Sequence, residues 1–282
     1  MPLEERIYQN ESQLRQPLVL VRAMWADLWQ SRNLGWALAQ RDIKAKYRAA
    51  WLGLTWAVLP PVATTLMFVV LQRGQVFETS VSGVPYPLFV MAGVIFWQLF
   101  ADAISAPLQM LQASRSMLTR ILFPREALLV SAVLQVSFNF LIKLGLFGLL
   151  LVWYQVALPS TIWLIPLAAV MLLGLGILIG VLLVPVGILY QDVLYSLGII
   201  LMLLMFITPV GFAPPQSGIL ADITQWNPVA PLIQCARDWA LTGASAAAIP
   251  AAWVALGTVL GLAFGWVLYR LTFPIAVERL SS

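Results

Sequence analysis

Histidine is absent from this 282-residue chain, and cysteine occurs once, at Cys235. No disulfide can close within the chain, and a Cys/His metal cluster is excluded. A Ser-His-Asp or Cys-His nucleophile lacks its base, so no catalytic residue and no metal ligand is assigned. Charge is equally scarce. Asp, Glu, Lys and Arg make up 10% of the chain, against about a quarter in a soluble domain. So little charge cannot cover a surface that faces water. With 61% hydrophobic residues and a mean hydropathy of +0.89, the chain reads as an integral membrane protein with little left for a separate soluble domain. A GxxxxGK[ST] phosphate loop and a Gly-rich dinucleotide fingerprint are both missing, so ATP is not bound by that route. The acids Glu78, Asp222 and Asp238 are scattered and offer no close carboxylate pair for glycosyl transfer. No cofactor in this chain and no nucleic-acid partner is expected.

What is present is organised around the membrane. Residues 1–17 are polar and mixed in charge, unlike a signal peptide, so the first span is expected to be kept. Residues 18–30 place Leu18, Val21, Trp25, Leu28 and Trp29 at helical spacing, which predicts an amphipathic helix at the membrane interface or on a soluble partner. Residues 34–50 continue the pattern. Trp36, Ile43 and Tyr47 lie near one face, Arg41, Lys44 and Arg48 form a basic stripe, and Asp42 is placed to pair with Lys46 at i,i+4. Six segments then approach the ~20 apolar residues that cross a bilayer. They lie at about 52–72, 87–108, 127–153, 161–189, 194–212 and 250–270. The expected fold is all-α and polytopic. It divides into a cytoplasmic N-terminal segment (1–50), a transmembrane domain (51–273) and a short tail (274–282).

Lys and Arg fix the orientation. With the N-terminus in the cytoplasm, every one of the 16 Lys and Arg residues falls on the inner side except Arg73, Arg237 and the intramembrane Lys143. That asymmetry satisfies the positive-inside rule in one orientation only and puts both termini in the cytoplasm. Between spans five and six, residues 213–249 are half apolar and punctuated by Pro214, Pro215, Pro228 and Pro231. They read either as short helices dipping back into the outer leaflet or as a surface loop.

Several constellations invite a functional reading. Tyr86, Phe89, Phe96, Trp97 and Phe100 fall near one face of span two, with Gly93 on the same side. Flat rings suit the apolar faces of sugars sliding past, and they suit lipid contact or packing equally. Gly257, Gly261 and Gly265 form a small-residue stripe in span six, with Gly176 and Gly180 as a weaker copy in span four; such stripes let helices approach closely, within one chain or between two. Asp102 lies in the inner half of span two, near an end that water can reach. Lys143 lies deeper, suited to a carbonyl partner or an aqueous cavity. The loop 112–126 mixes Arg115, Arg120, Arg125 and Glu126 with Met117, Leu118, Ile121, Leu122 and Phe123. It reads as an amphipathic turn that plugs into a soluble partner, or as a helix on the inner leaflet.

The runs RDIKAKYRAAWLGLTWAVLPP (41–61), GVPYPLFVMAGVIFWQLFADAI (83–104), RSMLTRILFPREALLVSAV (115–133) and WNPVAPLIQCARDWALTG (226–243) resemble permease subunits of type-2 ABC exporters that carry polysaccharides. O-antigen and teichoic-acid exporters are the nearest in character, with capsule exporters related. The resemblance implies a homodimer with two copies of a separate ATP-binding subunit, which would hold the ATP and Mg. It implies contact of the N-terminal helix with the inner leaflet and with that ATPase. It also implies a channel walled by spans one and five. On that basis Trp56, Pro60, Met202, Met205 and Phe206 join the span-two aromatics as channel candidates. Arg41, Asp42, Lys44, Lys46, Tyr47, Arg48, Arg115, Met117, Leu118, Arg120 and Glu126 become coupling candidates, and residues 50–53 the join where pushing becomes opening. One departure stands out: Gln191-Asp192 occupies a turn where the family often has Arg-Asp, which puts a salt bridge there in doubt. The expected function is export of a lipid-linked polysaccharide from the cytoplasmic side across the inner membrane. A small-molecule or lipid exporter of the same superfamily and a membrane enzyme acting on lipid-linked sugars are the alternatives.

Overall fold

The structure is a computed structural model that describes residues 17–48, 53–74, 83–114, 126–190, 192–215 and 217–281. Side chains are described from Ala26 to Thr272 within those ranges, Ile188 excepted. Among the described residues the chain is helical, with no strand. In order come α1 (Pro17–Arg48), α2 (Thr55–Arg73), α3 (Tyr86–Ala113), α4 (Glu126–Trp153), α5 (Ile165–Leu189), α6 (Asp192–Ile207), α7 (Ile219–Trp226), α8 (Val229–Leu241) and α9 (Ala248–Ser281). Helices α2, α3, α4, α5 and α9 are long and apolar enough to cross a bilayer, while α6 is a shorter apolar helix. These six match the expected spans in order. The two amphipathic stretches expected at 18–30 and 34–50 are one continuous helix, because no Pro or Gly pair interrupts them.

Helix α3 is the centre of the bundle, packed by α2, α4, α5, α6 and α8. Its residues are apolar nearly all round between Leu88 and Trp97, as a helix surrounded by others requires. The tightest crossing is with α5. A Cβ on Gly176 would stand 2.5 Å from Ala103 Cβ, and one on Gly180 would stand 2.5 Å from the Ile104 carbonyl oxygen. In α9, Gly261 and Gly265 meet Leu178 of the same chain, while Gly257 faces open space. The copy expected to be weaker therefore makes the closer approach, and the α9 stripe is used in part within one subunit.

Helix α6 stops at Ile207 because Pro209 and Gly211 follow. Thr208, Pro209, Val210 and Gly211 are buried, although their backbone is not helical. Such backbone persists at depth only when its polar groups are satisfied by protein. Tyr86 Oη donates to the Gly211 carbonyl at 2.8 Å, Arg237 to the Pro209 carbonyl at 3.1 Å, and Asn227 Nδ2 to Thr208 Oγ1 at 2.8 Å. Arg237 also lies 3.8 Å over the Phe89 ring. The arginine expected in an outer segment is thus 3% exposed inside the bundle. It is carried there by α8, which folds back against α3 and α5 as a re-entrant helix would. Replacing Tyr86 by Phe should cost about 1 kcal/mol, the net worth of one hydrogen bond, read as a lower thermal midpoint in detergent.

Candidate functional site

The end of the bundle that holds the N-terminus of α4 carries a polar seam between α1, α3 and α4. Helix α1 runs beside α4 in the same direction. Gly35 meets Ala127 and Val130, Asp42 accepts from Gln135 Nε2 at 3.3 Å, and Tyr47 Oη donates to Asn139 Oδ1. Gln135 Nε2 also reaches Ser131 Oγ at 3.2 Å and Met110 Sδ at 3.1 Å. Asp42 pairs with its neighbour Arg41 at 2.8 Å rather than with Lys46, since its side chain is turned toward Gln135. Burial, with the Asp102 carboxylate nearby, raises the Tyr47 phenol above its ordinary value. At the other end of the seam Arg270 of α9 holds Asp27 at 2.7 Å and stands 3.9 Å from Glu126.

Deeper in, Lys143 of α4 donates to Asp102 of α3 at 2.9 Å. The two intramembrane charges are partners of one another. Their surroundings differ: the Lys143 side chain is 8% exposed and that of Asp102 is 42% exposed. Asp102 belongs to a polar row along α3, namely Gln98, Asp102, Ser105, Gln109 and Gln112. Steps of four, three, four and three residues keep all five on one helical face. The row covers about 21 Å of helix at 1.5 Å per residue. Gln109 is exposed and the other four are partly so. Gln98 Oε1 and Gln112 Nε2 have no hydrogen-bond partner among the described residues. Helices α2 and α3 are antiparallel, with Thr65 bonded to Met91. Counting along both from that contact brings Leu54 level with Asp102, so α2 begins where the lower part of the row is still to come.

The structure divides the candidate residues. Phe89, Phe96, Trp97 and Phe100 are buried within the subunit, Phe96 against Phe140 and Trp97 against Phe100; Tyr86 is half-buried at the α6 terminus. Trp56, Pro60 and Met202 are exposed, Met205 is half-buried, and Phe206 leans on Phe68 of α2. Of the coupling candidates, Arg41, Lys44, Lys46 and Arg48 point outward, whereas Asp42, Tyr47 and Glu126 turn into the bundle. Arg115, Met117, Leu118 and Arg120, the join at 50–52 and Gln191 lie outside the described residues. The polar row on α3 was not singled out from sequence, although its spacing was there to read. The aromatics of the same helix drew the reading to other positions.

The architecture defines a polytopic all-α membrane protein. Among known proteins it is similar to permeases that export O-antigen and to a polysialic acid transport protein. The chain is 28% identical to the O-antigen export system permease protein RfbA of Myxococcus xanthus over 184 residues, which are 65% of this chain and 70% of that protein. It is 23% identical to the protein of the same name in Klebsiella pneumoniae over 75% of this chain and 83% of that one. It is 24% identical to the polysialic acid transport protein KpsM of Escherichia coli over 83% of this chain and 91% of that one. No family model matches the chain.

Proposed function

We propose that this chain is the membrane-spanning permease subunit of an ATP-driven exporter. Its cargo is a lipid-linked, O-antigen-like polysaccharide, moved from the cytoplasmic side across the inner membrane. The observation that carries the reading is similarity to O-antigen export permeases over as much as 75% of the chain and to a polysialic acid transport protein over 83% of it. ATP and Mg belong to a separate nucleotide-binding subunit, two copies of which sit beneath a homodimer of this chain. Both termini are cytoplasmic.

Force enters through the loop 115–125 and the outward cations of α1. Arg41, Lys44, Lys46 and Arg48 are exposed, available to a soluble partner and to anionic headgroups of the inner leaflet. The channel wall is formed by α2 and α6, whose outward faces carry Trp56, Pro60 and Met202 and are little covered within one subunit.

Deleting the chain should abolish surface glycan and trap its lipid-linked form inside the cell. A tagged copy should bring down an ATP-binding subunit in equal amount. Intact surface glycan, or a chain that purifies without an ATPase, would overturn the assignment. Charge reversal at Arg115 and Arg120 should leave ATP hydrolysis running while export stops. Unchanged export in that variant would sink the coupling role of the loop.

A further inference from the structure

A helix at the centre of a membrane bundle has little reason to carry polar groups where it is not packed. Helix α3 nevertheless carries Gln98, Asp102, Ser105, Gln109 and Gln112 on one incompletely covered face. Hydrocarbon against that face would leave the amides without partners. Water, a protein or a polar cargo must therefore meet it.

The chemistry of the row narrows the choice. Its one acid is balanced by Lys143 at 2.9 Å, and the remaining members are neutral amides and a hydroxyl. An anionic headgroup would call for a cation not already paired. A metal ion would call for more than one carboxylate. Hydroxyl-rich ligands fit, because an amide both donates and accepts and a half-exposed carboxylate accepts from a sugar hydroxyl. Repetition every three or four residues, about 5 Å along the axis, gives many similar contacts and no single deep one. A polymer can move along such a row without being held.

The geometry points to this face of α3, from Gln112 inward to Gln98, as a hydrogen-bonding path for the hydroxyls of the exported glycan in the cytoplasmic half of the bundle. The inference rests on the export function proposed above. It assigns to α3 a substrate role separate from the walls α2 and α6.

The test uses the full chain with its partner in cells. Benzoylphenylalanine is placed at Ser105 or Gln109, and at Leu260 of α9 as an exposed apolar control. After irradiation the purified chain is stained for carbohydrate with periodate. Stained adducts are expected at Ser105 and Gln109, absent at Leu260, and lost when glycan assembly is blocked. The double variant Gln98→Leu/Gln109→Leu should lower exported glycan at least tenfold, with unchanged amounts of the chain and of its co-purifying ATPase. Gln98→Asn/Gln109→Asn should export more than the leucine pair. Adducts with lipid alone or with a second copy of the chain at both positions, or full export by the leucine pair, overturn the path. In those cases a deletion strain that still loses its surface glycan leaves the export function standing. A deletion strain that keeps its glycan overturns the export function and the path together.

Discussion

Asp102→Asn should destabilise the bundle by about 3 kcal/mol, the low end of the cost of leaving a buried charge without its partner, because the pair is only part-buried. Lys143 is the reason. Its side chain is 8% exposed, and the carboxylate 2.9 Å away is what makes a charge tolerable there. The reverse change, Lys143→Met, should cost less. The Asp102 side chain is 42% exposed, so a carboxylate left alone can still be hydrated, and methionine keeps the packing of the lysine stem. The double variant Asp102→Asn/Lys143→Met should return close to the parent, since neither charge remains to be compensated. Denaturation midpoints of the four proteins in detergent give the coupling directly. Equal losses in the two single variants would contradict the difference in exposure between the partners.

Gly93→Ala should prevent the folded protein from accumulating in the membrane. A Cβ there would stand 2.0 Å from the Val210 carbonyl oxygen and 3.0 Å from its carbon. The obstacle is backbone, so no rotamer change relieves it. Relief requires moving the broken end of α6, which would pull the Pro209 carbonyl from Arg237 and the Gly211 carbonyl from Tyr86. Overpacking alone typically costs about 1–3 kcal/mol, and each lost hydrogen bond adds about 1 kcal/mol. Gly257→Ala is the matched control. Nothing lies within 4 Å of that site, and alanine in a helix is better than glycine by up to about 1 kcal/mol. Membrane-fraction yield and thermal midpoint should fall steeply for the first variant and hold or rise for the second. Equal behaviour would mean that the approach of Val210 to α3 is not tight.

The helices themselves were legible because hydrophobic runs of span length have few other uses. Depth of burial was harder. Phe96, Trp97 and Phe100 have the chemistry for stacking on a sugar, but the same rings fill a core, and residue type does not distinguish the two. The Asp102–Lys143 pair escaped for a different reason. Each residue stood out, but 41 positions separate them, and only the α3–α4 packing shows that they meet. Local helix rules paired Asp42 with Lys46, whereas the tertiary contact with Gln135 set where that carboxylate points. The segment carrying Arg237 reads from sequence as short helices dipping back or as a loop, and α8 packed on α3 agrees with the first; the burial of the guanidinium needed that tertiary contact to be seen. Gln98, Ser105, Gln109 and Gln112 could have been found by asking of each span where its polar residues recur, and not only its aromatic ones.

The single unbroken helix α1 has a mechanical consequence. At 32 residues it is a rod about 48 Å long. It is tied near one end through Asp27 to Arg270 and near the other through Asp42 and Tyr47 to α4. A rod held by α9 near one end and by the parallel helix α4 near the other behaves as one member of a truss. It does not swing on its own, and load applied at any point along it is delivered to the whole frame. In the exporter proposed above, a partner pushing on α1 would have to shift α4 with it, and the Lys143–Asp102 pair would pass that displacement to α3.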